Sequence, residues 1–181
     1  MGRFVFTQVN IPDIEHIYMS DMPQKTNHRV VITGYGAITN LGLNAGDTWN
    51  AMRSGISGIS KIDNPEFDKF DGWVVEIAGQ VKDWDPASVI PKKEARRLDR
   101  SAQLGLSAAI EAVNHSGWDH TKGDPTRHGV IVGSGVGGIY AIESAVLNMK
   151  GKGPARISPF TVPKLMVNAT TGNVAIAFNL Q

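Results

Sequence analysis

Val130-Ile-Val-Gly-Ser-Gly-Val-Gly-Gly-Ile-Tyr-Ala-Ile-Glu-Ser-Ala-Val-Leu-Asn-Met149 is the stretch that decides the fold class. Val130, Ile131 and Val132 are three consecutive β-branched apolar residues, which suits a strand buried on both faces. Ile139, Ile142, Val146 and Met149 then recur at steps of three and four, the spacing of one helix face. Between them lie Gly133, Gly135, Gly137 and Gly138, where the absence of a Cβ lets the backbone turn sharply or lets another backbone or a ligand come close. The stretch therefore predicts a strand, a glycine turn and a helix.

Upstream, Arg29-Val-Val-Ile-Thr33 predicts a second short apolar strand, ended by Gly34-Tyr35-Gly36, and two such strands running into glycine point to an α/β sheet. Asp47 or Thr48 can cap a short helix through Trp49 and Met52, with Gly55 placed to stop it. Ser54 to Ile59 is then a loop, and Trp73 to Val81 is strand-like, an excursion at the sheet edge. Pro91 opens the clearest helix, in which Leu98, Ala102, Gly105, Leu106, Ala109, Ile110 and Val113 mark one face until Ser116-Gly117. Beyond the central stretch a loop through Gly151, Gly153 and Pro154 reaches Ile157-Ser158-Pro159-Phe160. After Pro163, the residues Leu165, Met166, Ala169, Val174 and Phe178 predict one or two helices, and the chain reaches Gln181 without a further strand. Met1 to His28 keeps no sustained period, so residues 1–28 read as an N-terminal extension, either a mobile leader or a partner-binding arm.

The chain has 181 residues, 41% hydrophobic and 19% charged, which suits a soluble globular domain with a core. Its formal net charge of +1 exerts no global pull toward nucleic acid or a membrane. No apolar run approaches the ~20 residues that span a bilayer, and no secretory signal pattern opens the chain, so a cytoplasmic location is expected. Cysteine is absent, which removes disulfides, thiolate metal sites and a cysteine nucleophile from these residues.

Gly133-x-Gly135-x-x-Gly138 matches the dinucleotide fingerprint between a strand and a helix, where N–H groups could hold a pyrophosphate. The acid expected about 20 residues further on is missing, because no Asp or Glu follows Glu143; Arg156 would suit only an NADP variant. The Gly-Lys-Ser/Thr ending of a P-loop is absent. His16, His28, His115, His120 and His128 show no metal-binding spacing, and Ser134 and Ser158 lack a Gly-x-Ser-x-Gly elbow. Neither a metal nor a cofactor is expected. Lys92, Lys93, Arg96, Arg97 and Arg100 crowd the start of the Pro91 helix although a helix N-terminus favours negative charge. They form either a solvated face or a docking patch for an acidic partner.

Five blocks, taken together and in order, resemble the β-ketoacyl-acyl-carrier-protein synthases, most closely the type II elongating synthases of bacterial fatty-acid synthesis. They are Arg29-Val-Val-Ile-Thr-Gly-Tyr-Gly36, Ser54-Gly-Ile-Ser-Gly-Ile59, Lys93-Glu-Ala-Arg-Arg-Leu-Asp99, Gly133-Ser-Gly-Val-Gly-Gly138 and Ile157-Ser-Pro-Phe-Thr-Val-Pro163. The resemblance runs from Arg29 to Gln181. Asn40 stands where the family often has proline, and residues 1–28 have no family counterpart.

The resemblance implies a thiolase-like layered αβαβα fold, with residues 29–181 forming the incomplete N-terminal part, and pairing as a homodimer. It implies decarboxylative condensation of an acyl thioester with malonyl-acyl carrier protein. The family's cysteine and two histidines follow, in sequence order, the last residue of this chain, so no catalytic residue is expected within it and the 181 residues alone should not condense anything. By the same resemblance Gly135 and Val136 line the acyl tunnel, Thr161 lies near the dimer interface and helps close the neighbouring pocket, and Lys93, Arg96 and Arg97 meet the acidic carrier. A polyketide ketosynthase or its cysteine-less chain-length partner fits the same blocks. From another class, a small nucleotide-binding module would use the Gly133–Gly138 turn, and a scaffold that only binds carrier protein is a third reading.

Overall fold

The computed structural model describes residues 29–62 and 71–180; the extension at residues 1–28 lies outside the described residues. The chain divides into two units, Met1–Ile32 and Thr33–Gln181. In the first unit the described residues form no strand, and Val30 and Ile32 are exposed.

In the second unit, α1 (Ala45–Arg53) is capped by Asn44, whose side chain accepts from the Asp47 N–H at 2.8 Å. The cap is thus three or four residues earlier than the Asp47 or Thr48 expected from the sequence. Asp47 falls in the first turn, where its charge suits the helix dipole. Gly55 follows the helix at φ 67°, in its expected role as the stop. A two-stranded antiparallel sheet joins β1 (Ser60–Lys61) to β2 (Ile77–Ala78), with Ser60 opposite Ala78 and Lys61 opposite Ile77. The strand expected over 73–81 is therefore real but only two residues long.

The helix expected to run from Pro91 to Ser116 is two helices, α2 (Lys92–Ala95) and α3 (Arg100–Ser116). Asp99, at φ −77° and ψ 163°, leaves helical geometry, and its side chain accepts from the Ser101 N–H at 3.1 Å, so the longer helix starts afresh there. This eases the electrostatic conflict seen in the sequence at the long helix, although Lys92 and Lys93 still open α2 and Arg100 still opens α3. Lys92, Lys93, Arg96 and Arg97 precede the long helix, and the group at its N-cap is a carboxylate, the sign the dipole favours. Gly117 closes α3 in the left-handed region at φ 65°.

Next come α4 (Ile139–Lys152), α5 (Thr161–Leu165) and α6 (Ala169–Phe178). The core unites α2, α3 and α6 through Ile90, Ala95, Leu98, Ala102, Leu106, Val174 and Phe178. Fully burying the Ile, Leu, Val and Phe side chains among these is worth about 1.5–3 kcal/mol each. At Gly105 α3 and α6 approach closely: a Cβ there would stand 2.4 Å from Thr170 Cγ2. Glu111 ties the N-terminal loop of this unit to α3, accepting from the Ala37 N–H at 2.8 Å and the Ala45 N–H at 2.9 Å. In the exposed connection after α3, hydroxyl donors fix two carboxylates. Thr121, then Lys122, hold Asp119 below the usual carboxylate range, and Thr126 does the same for Asp124.

Val130–Val132 and Arg29–Thr33, expected as strands, belong to no sheet among the described residues. A strand is defined by ladder partners, and neither run has one there. Val132 instead exchanges hydrogen bonds with the Thr171 hydroxyl of α6, at 3.3 Å and 3.2 Å, while Ile131 is 98% exposed. No helix among the described residues is long and apolar enough to cross a membrane.

Candidate functional site

The glycine turn has two halves with different surroundings. Gly137, at φ 75°, donates its N–H to Ser134 Oγ at 2.9 Å, which closes the turn. Gly138 donates to Leu165 O at 3.4 Å, and a Cβ on it would lie 2.1 Å from Lys164 O. The backbone at the end of α5 thus rests directly on these two glycines. Around Gly133 and Gly135, by contrast, an added Cβ would meet nothing within 4 Å. Val136 sits on the same turn and is more than half exposed.

Asp99 links the start of α3 to the start of α4. Its Oδ1 accepts from the Ser101 N–H and hydroxyl, at 3.1 and 3.2 Å, and its Oδ2 accepts from the Ala141 N–H at 3.2 Å. The carboxylate is buried, with 6% of its surface exposed. A helix N-terminus is an anion site by virtue of its free N–H groups and dipole, and here the anion is the chain's own. The pyrophosphate reading of the glycine turn loses its main attraction, since Asp99 already holds that helix end.

Sequence reasoning gave Asp99 no role of its own. The Asp-x-Ser spacing could have shown the cap on α3, whereas the bond to Ala141, 42 positions away, has no local signal. Arg100 escaped notice as more than a charge. Its guanidinium stacks 4.5 Å over Trp84 and donates to Trp84 O and Val81 O at 3.4 and 3.3 Å.

A cavity of about 380 Å³ opens between the α3 start, α4 and α5, with Asp99, Arg100, Tyr140, Arg156, Thr161 and Lys164 in its wall. Of the residues singled out in the sequence for substrate binding, Thr161, expected near the dimer interface, lines this cavity, and Gly135 and Val136, expected in the acyl tunnel, do not. Lys93, Arg96 and Arg97 are exposed, and none makes an ion pair among the described residues. Arg97 lies 5.1 Å over the Phe160 ring, so the cationic run adjoins the segment that carries Thr161. No group of three or more His, Cys, Asp or Glu able to hold a metal occurs among the described residues.

Comparison with known proteins matches residues 27–181 to the family model "Beta-ketoacyl synthase, N-terminal domain". The chain is 41% identical over 150 residues to a 3-oxoacyl-[acyl-carrier-protein] synthase 2 of Staphylococcus aureus (strain COL), which covers 83% of this chain and 36% of that protein. The chain thus spans about a third of the length of that relative. Among solved structures, a beta-ketoacyl synthase from Burkholderia phymatum STM815 superposes with a TM-score of 0.70 at 23% identity, over 84% of this chain and 37% of that one. A type II PKS ketosynthase, bound to a hexaketide in a complex with its acyl-carrier protein, gives 0.64 at 22% identity, over 83% and 38%. These two likenesses establish the layered thiolase-like fold of ketosynthases, of which this chain covers the smaller part.

Proposed function

From the premise that this chain belongs to the beta-ketoacyl synthase family, as its N-terminal domain over residues 27–181, we propose that it is the framework portion of a fatty-acid elongating 3-oxoacyl-[acyl-carrier-protein] synthase. The observation that carries the reading is the 41% identity to such a synthase along 150 residues. The reaction is an acyl transfer followed by decarboxylative condensation. A thiolate takes the acyl group from its carrier thioester; malonyl-carrier loses CO₂, and the resulting enolate carbon attacks the acyl carbonyl, expelling the thiolate. A sequence without cysteine cannot supply that thiolate, so the chemistry requires residues beyond these 181.

This chain's share is recognition and shape. Lys93, Arg96 and Arg97 form the face for the acidic acyl carrier protein, with Arg97 held over Phe160. Gly135 and Val136 present the open half of the glycine turn to the acyl chain, and Thr161 at the start of α5 borders the neighbouring subunit of a homodimer. A cytoplasmic location accompanies this role. The relatives matched by sequence, at 41% and 37% identity, are named 3-oxoacyl-[acyl-carrier-protein] synthase 2, which favours the fatty-acid reading over the polyketide one. The nucleotide-module reading has against it the Asp99 carboxylate at the α4 N-terminus.

Val136→Phe tests the tunnel assignment in the synthase that bears this sequence. The larger side chain is expected to shorten the longest accepted acyl chain by at least one elongation unit and to lower kcat/KM for the longest substrate by about 10- to 100-fold. Short acyl substrates should react almost unchanged. Product lengths read by mass spectrometry check this, and an unaltered length profile would remove Val136 from the tunnel wall.

A further inference from the structure

We propose that Asp99 is a positioning residue for acyl-chain length, holding from α3 the turn that carries Val136; the inference rests on the assignment of Val136 to the acyl tunnel. Around Gly133 and Gly135 an added Cβ would meet nothing within 4 Å, and Val136 itself is 57% exposed, so this half of the turn has little packing to fix it. Where Val136 stands is set by the residues that follow it. Gly138 rests on the backbone at the end of α5, and two further holds come from the start of α3. The Ser101 hydroxyl lies 3.5 Å from Gly137 O and 3.2 Å from Asp99 Oδ1, and Asp99 Oδ2 accepts from the Ala141 N–H at 3.2 Å. Asp99 and Ser101 therefore grip the junction of turn and helix on both sides of Gly138.

The chemistry of that junction favours a carboxylate from elsewhere in the chain. The N-cap of α4 is Gly138, which has no side chain to offer, and the first turn contains no acidic residue. Asp99, only 6% exposed, supplies the missing negative charge from 42 positions away. The tether does not make the helix. The Ala141 N–H also reaches Gly138 O at 3.1 Å, so α4 keeps an internal bond when Asp99 is lost. What goes is the tie between α4 and α3, and with it the fixed place of Val136. Asparagine at this position is nearly isosteric, but one of its two polar atoms is a donor. It must turn that donor toward either the Ser101 N–H or the Ala141 N–H, both of which the carboxylate accepts. A tunnel wall free to shift discriminates chain length less sharply.

The test is kcat/KM across a series of acyl lengths for D99N and S101A in the synthase that bears this sequence. D99N is expected to raise by about tenfold the kcat/KM of an acyl chain one elongation unit past the wild-type limit, relative to that of a short chain. S101A keeps the carboxylate and should raise the same ratio by about threefold. A loss of stability alone would lower every length together and leave the ratio where it was. In a V136A background D99N should change the ratio no further, because Asp99 acts through Val136. If D99N fails to fold, S101A and its own cycle with V136A decide. An unchanged ratio in D99N and S101A, or an equal gain in the V136A background, would overturn the proposal. The V136F variant separates this inference from the reading beneath it. Shortened products with V136F and no shift with D99N or S101A refute the positioning role alone, whereas no shift in any of the three refutes the tunnel assignment as well.

Discussion

Arg96→Glu combined with Arg97→Glu is expected to weaken binding of the acidic acyl carrier protein by about 100-fold at low salt. Both side chains are exposed, and neither has an ion-pair partner among the described residues, so their field is directed outward. Arg97 loses less freedom on docking than an isolated surface arginine would, because the Phe160 ring 5.1 Å away already orients it. Exposed charges act over roughly one Debye length, so raising the salt to about 1 M should erase most of the difference between wild type and variant. Lys122→Glu is the matched control: that ammonium lies 3.0 Å from Asp119 in a separate loop, and its reversal should change carrier affinity little. Surface plasmon resonance at two salt concentrations measures all of this. Equal weakening by the control would mean a diffuse charge effect and no defined docking face.

Gly138→Ala should destabilise the fold by about 3 kcal/mol or more, whereas Gly135→Ala should cost less than about 1 kcal/mol. The contrast comes from surroundings, not from dihedral preference. At Gly138 the new methyl would stand 2.1 Å from Lys164 O and 3.0 Å from Leu165 Cα, and backbone atoms cannot swing aside as a flexible side chain can. At Gly135 the same methyl meets nothing within 4 Å. Relief at Gly138 requires α5 to move, carrying Thr161 with it, so loss of stability and distortion of the cavity wall should appear together. Denaturant unfolding of the two variants settles the ranking, and similar midpoints would show that α5 does not rest on the turn as described.

Helical content was the most legible part of the sequence, because its signal is local. Leu98, Ala102 and Leu106 repeat every four residues, and all three are in the core. The same regularity hid the break between α2 and α3: Ala95, Leu98 and Ala102 stay on the buried side across it, so the apolar stripe runs on while the backbone does not. Only the capping chemistry of Asp99 marks the interruption. Strands were less legible. Val130–Val132 has the composition of a buried strand, yet pairing depends on distant chain, and among the described residues its polar contact is a threonine hydroxyl of α6. For the site, the glycine turn, the cationic run and Thr161 were given their ketosynthase roles only by the five motif blocks, and of them Thr161 lines the cavity beside α4 and α5. The bonds from Asp99 to Ala141 and from Glu111 to Ala37 and Ala45 tie together positions far apart in sequence, which no spacing could reveal.

Mixing the 181-residue chain with acyl-loaded carrier and malonyl-carrier, then recording complex formation, protein mass and released CO₂ together, is the most direct measurement. Salt-sensitive complex formation with an unchanged chain mass and no CO₂ is the result expected of a recognition framework whose thiol comes from elsewhere. A covalently acylated chain, CO₂ release, or no complex with carrier at low salt would contradict it.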